Sequence, residues 1–180
     1  MANMYFIALV APKEINEDVL KWKQLMKEQF GCAVALRSPA HITLIPPFWM
    51  EEILENKLQN EISYFSQNQI PFEIGLKNFA AFKPKVIYID VVPNKILNIL
   101  QQNFLQFLLK TKLFPVKTDE RPYHPHVTIA TRDLHKKAFH DAWQVFKEKK
   151  YETFWKADGI SILRHNQKNW DVILTSQFRN

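Results

Sequence analysis

The chain has 180 residues, enough for one well-buried domain or two small lobes sharing an interface, and its 47% hydrophobic and 23% charged content is that of an ordinary globular protein. Three glycines argue against a glycine-rich nucleotide loop. The single Cys32 excludes an internal disulfide and a cysteine-built zinc site, and no apolar run reaches the roughly 20 residues of a membrane span. A net charge of +6 and a pI near 9.3 lean toward anionic partners. The lysine groups KWK (21–23), KPK (83–85) and KEKK (147–150) are scattered and are expected as solvated helix faces and loops. The opening stretch MANMYFIALVAPKE carries neither a basic leader nor a convincing cleavage site, so a cytoplasmic protein is expected.

YFIALVA (5–11) reads as a first strand. After Pro12, residues Ile15, Val19, Trp22, Leu25, Met26 and Phe30 recur at helical spacing up to Gly31. AHITLIPPF follows as a short strand that two prolines are expected to close. A second helix is expected from Glu51 to about Phe65. Two strands, PFEIGLKNFAAF (71–82) and KVIYIDVV (85–92), flank Lys83-Pro84 as a hairpin. The order then recurs: a helix from about Asn94 to Leu113, the short strand HPHVTIA, a helix from Leu134 to Phe146, and one long strand FWKADGISILRHNQ. NWDVILTSQF adds a final strand. The expectation is a single bilobed domain over 1–180, with halves of about 1–84 and 85–180 related by a pseudo-twofold axis.

The middle strand of each half carries the same tetrapeptide pattern, HITL at 41–44 and HVTI at 126–129. From the composition, about 0.1 copy of histidine, apolar, Ser or Thr, apolar is expected by chance, against two observed. On a strand, residues two apart share a face. His41 and Thr43 therefore project together while Ile42 and Leu44 point to the core, and His126 and Thr128 do the same against Val127 and Ile129. Two imidazoles with ordinary pKa values of about 6.5 suit a reaction that needs a base and an acid at once. Phosphodiester cleavage is one. One imidazole deprotonates water, the other protonates the departing oxygen, and hydroxyls donate to the non-bridging oxygens, with no metal or other cofactor required.

The motifs, their separation and the flanks SPAHITLIPPF and YHPHVTIATRD resemble the 2H phosphoesterase superfamily, which includes 2'-5' RNA ligases and 2',3'-cyclic nucleotide phosphodiesterases. The resemblance implies an α+β fold, bilobed and pseudo-twofold, with two mostly antiparallel sheets lining a central cleft and helices outside. It makes His41 and His126 the acid/base pair and Thr43 and Thr128 the phosphate-binding hydroxyls, with Arg132 as a further basic contact. RNA ends or cyclic nucleotides are the implied substrates of a monomeric hydrolase; no membrane partner is implied.

Tyr123 and Phe48, with Trp49, flank the motifs and are candidates for stacking on a base. Arg37, Lys117 and Arg121 stand upstream of the motifs and could steer phosphate. His124 is a possible metal ligand beside His126 and His41, although no carboxylate or cysteine sits at ligand spacing. His135, His140 and His165 are expected at the surface. The rival to an enzyme is a binding module that holds a nucleotide or RNA end in the same cleft.

Overall fold

The computed structural model describes residues 1–179. Its elements run β1 (Ala2–Val10), α1 (Lys13–Phe30), β2 (His41–Glu51), α2 (Glu55–Ser66), β3 (Phe72–Phe82), β4 (Val86–Val91), α3 (Lys95–Thr111), β5 (His126–Ala130), α4 (Lys136–Phe146), β6 (Glu152–Ala157), β7 (Gly159–His165) and β8 (Trp170–Gln177). The strands form two four-stranded sheets, β2-β1-β7-β8 and β5-β4-β3-β6, and every pairing is antiparallel.

The helices form where the apolar stripe and the end signals agree. Gly31 closes α1 in the left-handed conformation (φ 67°), and its amide bonds back to the Lys27 carbonyl. Asn94 caps α3 by accepting from the Leu97 amide. Helix α1 packs on β5 of the second sheet, and α3 packs on β2 of the first. This crossed packing is what a twofold relation between β1-α1-β2 and β4-α3-β5 requires.

The lobes are not the contiguous halves that element order suggests. Strand β3, before the boundary at residue 84, pairs with β4 in the second sheet, and β7 and β8 pair with β1 in the first. The expected long strand FWKADGISILRHNQ is broken at Asp158 into β6 and β7, one in each sheet. A hydrophobic run records that a segment is buried, but not which strand it pairs with. Strand β2 also continues through Pro46 and Pro47 to Glu51. It lies at a sheet edge, and the register with β1 shifts between Tyr5 and Ile7, so both prolines occupy places that need no ladder donor.

Most of the core lies between the sheets and the helices. A smaller cluster of Phe6, Ala8 and Leu163, with Val10 and Trp170 packed on it, covers the other face of the first sheet. Strand β1 is thus buried on both faces, which is why YFIALV reads as an unbroken apolar run. From β1, Tyr5 reaches across to give Glu55 a 2.8 Å hydrogen bond, and Arg164 of β7 donates to the same carboxylate at 2.9 Å, tying α2 to the first sheet.

Gly159 marks the crossing from one sheet to the other. A Cβ there would stand 2.8 Å from the Ser176 carbonyl oxygen, a backbone atom of paired strand β8. We expect Gly159→Ala to cost about 1–3 kcal/mol of stability, read as a lower urea midpoint with an unchanged slope. An unchanged midpoint would show that the β7–β8 pairing yields at this point without cost.

Candidate active site

Strands β2 and β5, the carriers of the two motifs, are each the edge of a sheet, and they lie in contact with one another. Ile42, Leu44, Val127 and Ile129 are essentially without solvent exposure, while His41, Thr43, His126 and Thr128 are half-buried on the opposite side. The period-2 expectation therefore holds on both strands.

Hydrogen bonds in both directions tie the two edges together. Tyr123, just before β5, donates its hydroxyl to the Thr43 carbonyl at 3.0 Å, and Gln101 of α3 donates to the Leu44 carbonyl at 3.2 Å. In the reverse direction, Asp133, just after β5, accepts from the amides of Ala33 and Val34 at 2.7 and 3.0 Å and from the Cys32 thiol at 2.9 Å. Burial, then the neighbouring Asp133 carboxylate, push that thiol up to about 12, so Cys32 acts as a neutral donor.

The two histidines are held the same way. Nδ1 of His41 lies 2.7 Å from the Pro39 carbonyl, and Nδ1 of His126 lies 2.7 Å from the His124 carbonyl, two residues upstream in both cases. A carbonyl only accepts, so Nδ1 carries the proton and Nε2 is left as the basic nitrogen of each neutral ring. Burial pushes His41 down to about 4, and the charges of Lys23 and His126 act in the same direction. Burial also lowers His126, with a further push from His124 and an opposing pull from Asp90.

A cavity of about 210 Å³ lies between the strands. His41, Thr43 and Thr128 line it with Arg37 and Arg132. His126 is not part of its wall; Phe82 and Tyr88 stand against that ring at centroid distances of 5.1 and 5.0 Å. Arg132 reaches the cavity from a tight turn. The chain leaves β5 after Ala130, Asp133 bonds back to the Thr131 carbonyl at 2.6 Å, and Arg132 takes a left-handed φ of 52°. Strand alternation does not govern a residue beyond the strand. Backbone strain at such a position is characteristic of functional sites.

Other expected residues stand elsewhere. Phe48 is 8% exposed and packs in the core 6.2 Å from Tyr5, because its β2 position falls on the same side as Ile45 and Met50. It is not available to stack on a base. Trp49 is exposed and does not line the cavity. Tyr123 is a brace, not a stacking platform: its hydroxyl is engaged by Thr43, and burial pushes that phenol up. Arg121 pairs with Asp119 at 2.6 Å, away from the cavity. His124 bonds to Tyr88 at 3.2 Å, and among the described residues no group of three or more His, Cys, Asp or Glu side chains is placed to hold a metal ion.

Sequence reasoning missed the aromatic wall. Phe6 lies tilted against His41 with ring centroids 4.7 Å apart, Trp170 stands edge-on to Phe6 at 4.6 Å, and His165 contacts Trp170 at 4.9 Å. His165, expected at the surface, lines the cavity instead. The signal for Phe6 was hidden in a run buried on both faces, and β7 and β8 reach the site only because they join the first sheet.

With this geometry in place, comparison with known proteins is decisive. A profile of the 2'-5' RNA ligase superfamily matches residues 11–169. The chain belongs to that superfamily. A protein of Geobacillus kaustophilus provisionally named a phosphoesterase is 28% identical over 145 residues, 79% of this chain and 77% of its own. The RNA 2',3'-cyclic phosphodiesterase of Bacillus subtilis is 30% identical over 96 residues, 51% of each chain. The crystal structure of Escherichia coli LigT complexed with 3'-AMP superposes with a TM-score of 0.68 over 100% of both chains at 14% identity, which establishes the shared fold. No helix is long and apolar enough to cross a membrane among the described residues.

The lowered proton affinity of His41 couples folding to pH. The unfolded chain binds the proton near pH 6.5 and the folded chain only near 4, so this contribution to stability is full above about pH 6.5 and is lost as pH falls through that window. His126 shifts in the same direction and adds to it. We expect denaturant midpoints to fall between pH 6.5 and 4, less steeply in His41→Gln. Parallel curves would show that His41 is not held neutral by burial.

Proposed function

We propose that the protein is a phosphodiesterase that opens 2',3'-cyclic phosphates on nucleotides or RNA ends, with His41 and His126 as the base and acid. The matched anchoring of the two Nδ1 atoms carries this reading, since it leaves two equivalent Nε2 atoms on facing edge strands. The name of the Bacillus subtilis relative and the nucleotide in the LigT complex support the substrate class.

In this scheme His41, the more strongly deprotonated ring, takes a proton from water as its oxygen attacks phosphorus. The bond from phosphorus to one ribose oxygen breaks. That oxygen receives a proton from Nε2 of His126, whose imidazolium is favoured by Asp90 and by the incoming phosphate anion. The product is a ribose phosphomonoester, and solvent returns the two rings to their starting protonation. The hydroxyls of Thr43 and Thr128 and the guanidinium of Arg132 donate to the non-bridging oxygens. With the 5'-hydroxyl of a second strand in place of water, the same attack on the cyclic phosphate, breaking its bond to the 3' oxygen, joins a 2'-5' linkage without ATP.

His41→Ala and His126→Ala are each expected to lower turnover of a nucleoside 2',3'-cyclic phosphate by roughly 10²- to 10⁴-fold with folding retained, and a chelator should leave wild-type turnover intact. Full activity in either variant would remove that residue from the mechanism. Loss of all activity with the chelator would remove the two-histidine scheme.

A further inference from the structure

Lys23 breaks the pattern of its helix. It lies on the buried stripe of α1 with Val19 and Met26, and at 3% exposure it is one of four buried polar residues among those described. The KWK group was expected to be solvated throughout; Lys21 is, and pairs with Asp18 at 2.9 Å. The Lys23 ammonium has three donors and makes one hydrogen bond, 2.9 Å to the Ser38 carbonyl. Among the described residues no carboxylate comes within 4 Å of it. A buried cation with two unused donors and no counter-charge is costly unless something anionic completes it.

What lies in front of Lys23 is an open groove of about 580 Å³. Lys13 and Arg37 join Lys23 on its walls, against Glu17 as the one acidic side chain there. The groove shares Arg37, Ser38 and Trp170 with the cavity between the motifs, so the two adjoin. Ser38 and Pro39 connect them chemically as well. The Ser38 carbonyl holds Lys23, and the next carbonyl, that of Pro39, holds His41.

We propose that this groove is a second phosphate subsite, anchored on Lys23, that takes the 5'-phosphate of the nucleotide whose 2',3'-cyclic phosphate lies between His41 and His126. The proposal rests on the function proposed above and narrows it to the end of an RNA chain. A cyclic phosphate closes the 2' and 3' oxygens of a terminal ribose, so the rest of the strand can leave that ribose only through its 5' oxygen. The next anion is therefore a phosphodiester on the 5' side. Burial lowers Lys23 to about 8, which leaves it cationic at neutral pH. Charge-assisted hydrogen bonds to such an anion are among the stronger ones proteins make.

The test compares a nucleoside 2',3'-cyclic phosphate with its 5'-phosphorylated form and with a dinucleotide ending in a cyclic phosphate. Wild type should favour both longer compounds by at least about tenfold in kcat/KM, mainly through KM, as expected for one or two hydrogen bonds to a charged group. In Lys23→Met, which fills the same volume, that ratio should fall toward one, and Lys13→Gln should reduce it in part. Calorimetry with two product-like ligands separates this subsite from the reaction itself: wild type should bind a nucleoside 3',5'-bisphosphate at least about tenfold more tightly than the 3'-monophosphate, and Lys23→Met should not. Equal preference in wild type, or a ratio unchanged in folded Lys23→Met, would overturn the subsite. If no cyclic phosphate were hydrolysed while the bisphosphate preference held, the catalytic proposal would fail and the subsite would stand.

Discussion

Everything at the site depends on two sheet edges meeting. An edge strand exposes unpaired backbone groups, and here the β2 edge is capped by the opposite half of the chain. Tyr123 and Gln101 cap carbonyls of β2, and Asp133 gathers the amides that precede β2. The hydrogen bonds that protect the edges are therefore the same ones that set the distance between the motifs. They also explain why Arg132 sits in a strained turn: it is caught between β5 and the aspartate that ties the lobes together.

The electrostatic character of the cleft follows from how dry it is. Both imidazoles lose proton affinity chiefly to burial, and both keep Nδ1 committed to a backbone carbonyl. A site built this way rests with two neutral rings. Positive charge stands at Arg37 and Arg132 on the cavity wall and at Lys23 in the adjoining groove. A fixed donor in a partly buried place counts for more than it would at the surface. The same dryness makes the resting protein sensitive to acid.

Much of the fold was legible in the chain because its helices and short strands carry strong periodicity. Helix α1 begins one residue after Pro12 and ends before Gly31, and α3 begins behind its Asn94 cap, as the end signals indicate. Legibility failed where one residue served two demands. Phe48 flanks a motif in sequence but falls on the core side of β2. Lys23 is a lysine in a basic cluster, yet it occupies a core position of α1. Composition gives such residues their default reading, and only packing reveals the exception.

The chain by itself determined the repeated unit of the candidate site: a histidine and a threonine two places apart, backed by apolar residues, written twice in matching local order. Alternation along a strand is a local property, so residue types suffice to state it. Tertiary structure decided the rest. It sent β3 into the second sheet and β7 with β8 into the first, which brought His165 and Trp170 to the side of Phe6 and His41 and completed the groove beside Lys23. Strand pairing is chosen by long-range contacts among many similar apolar segments, and nothing in any one segment records which partner it will have.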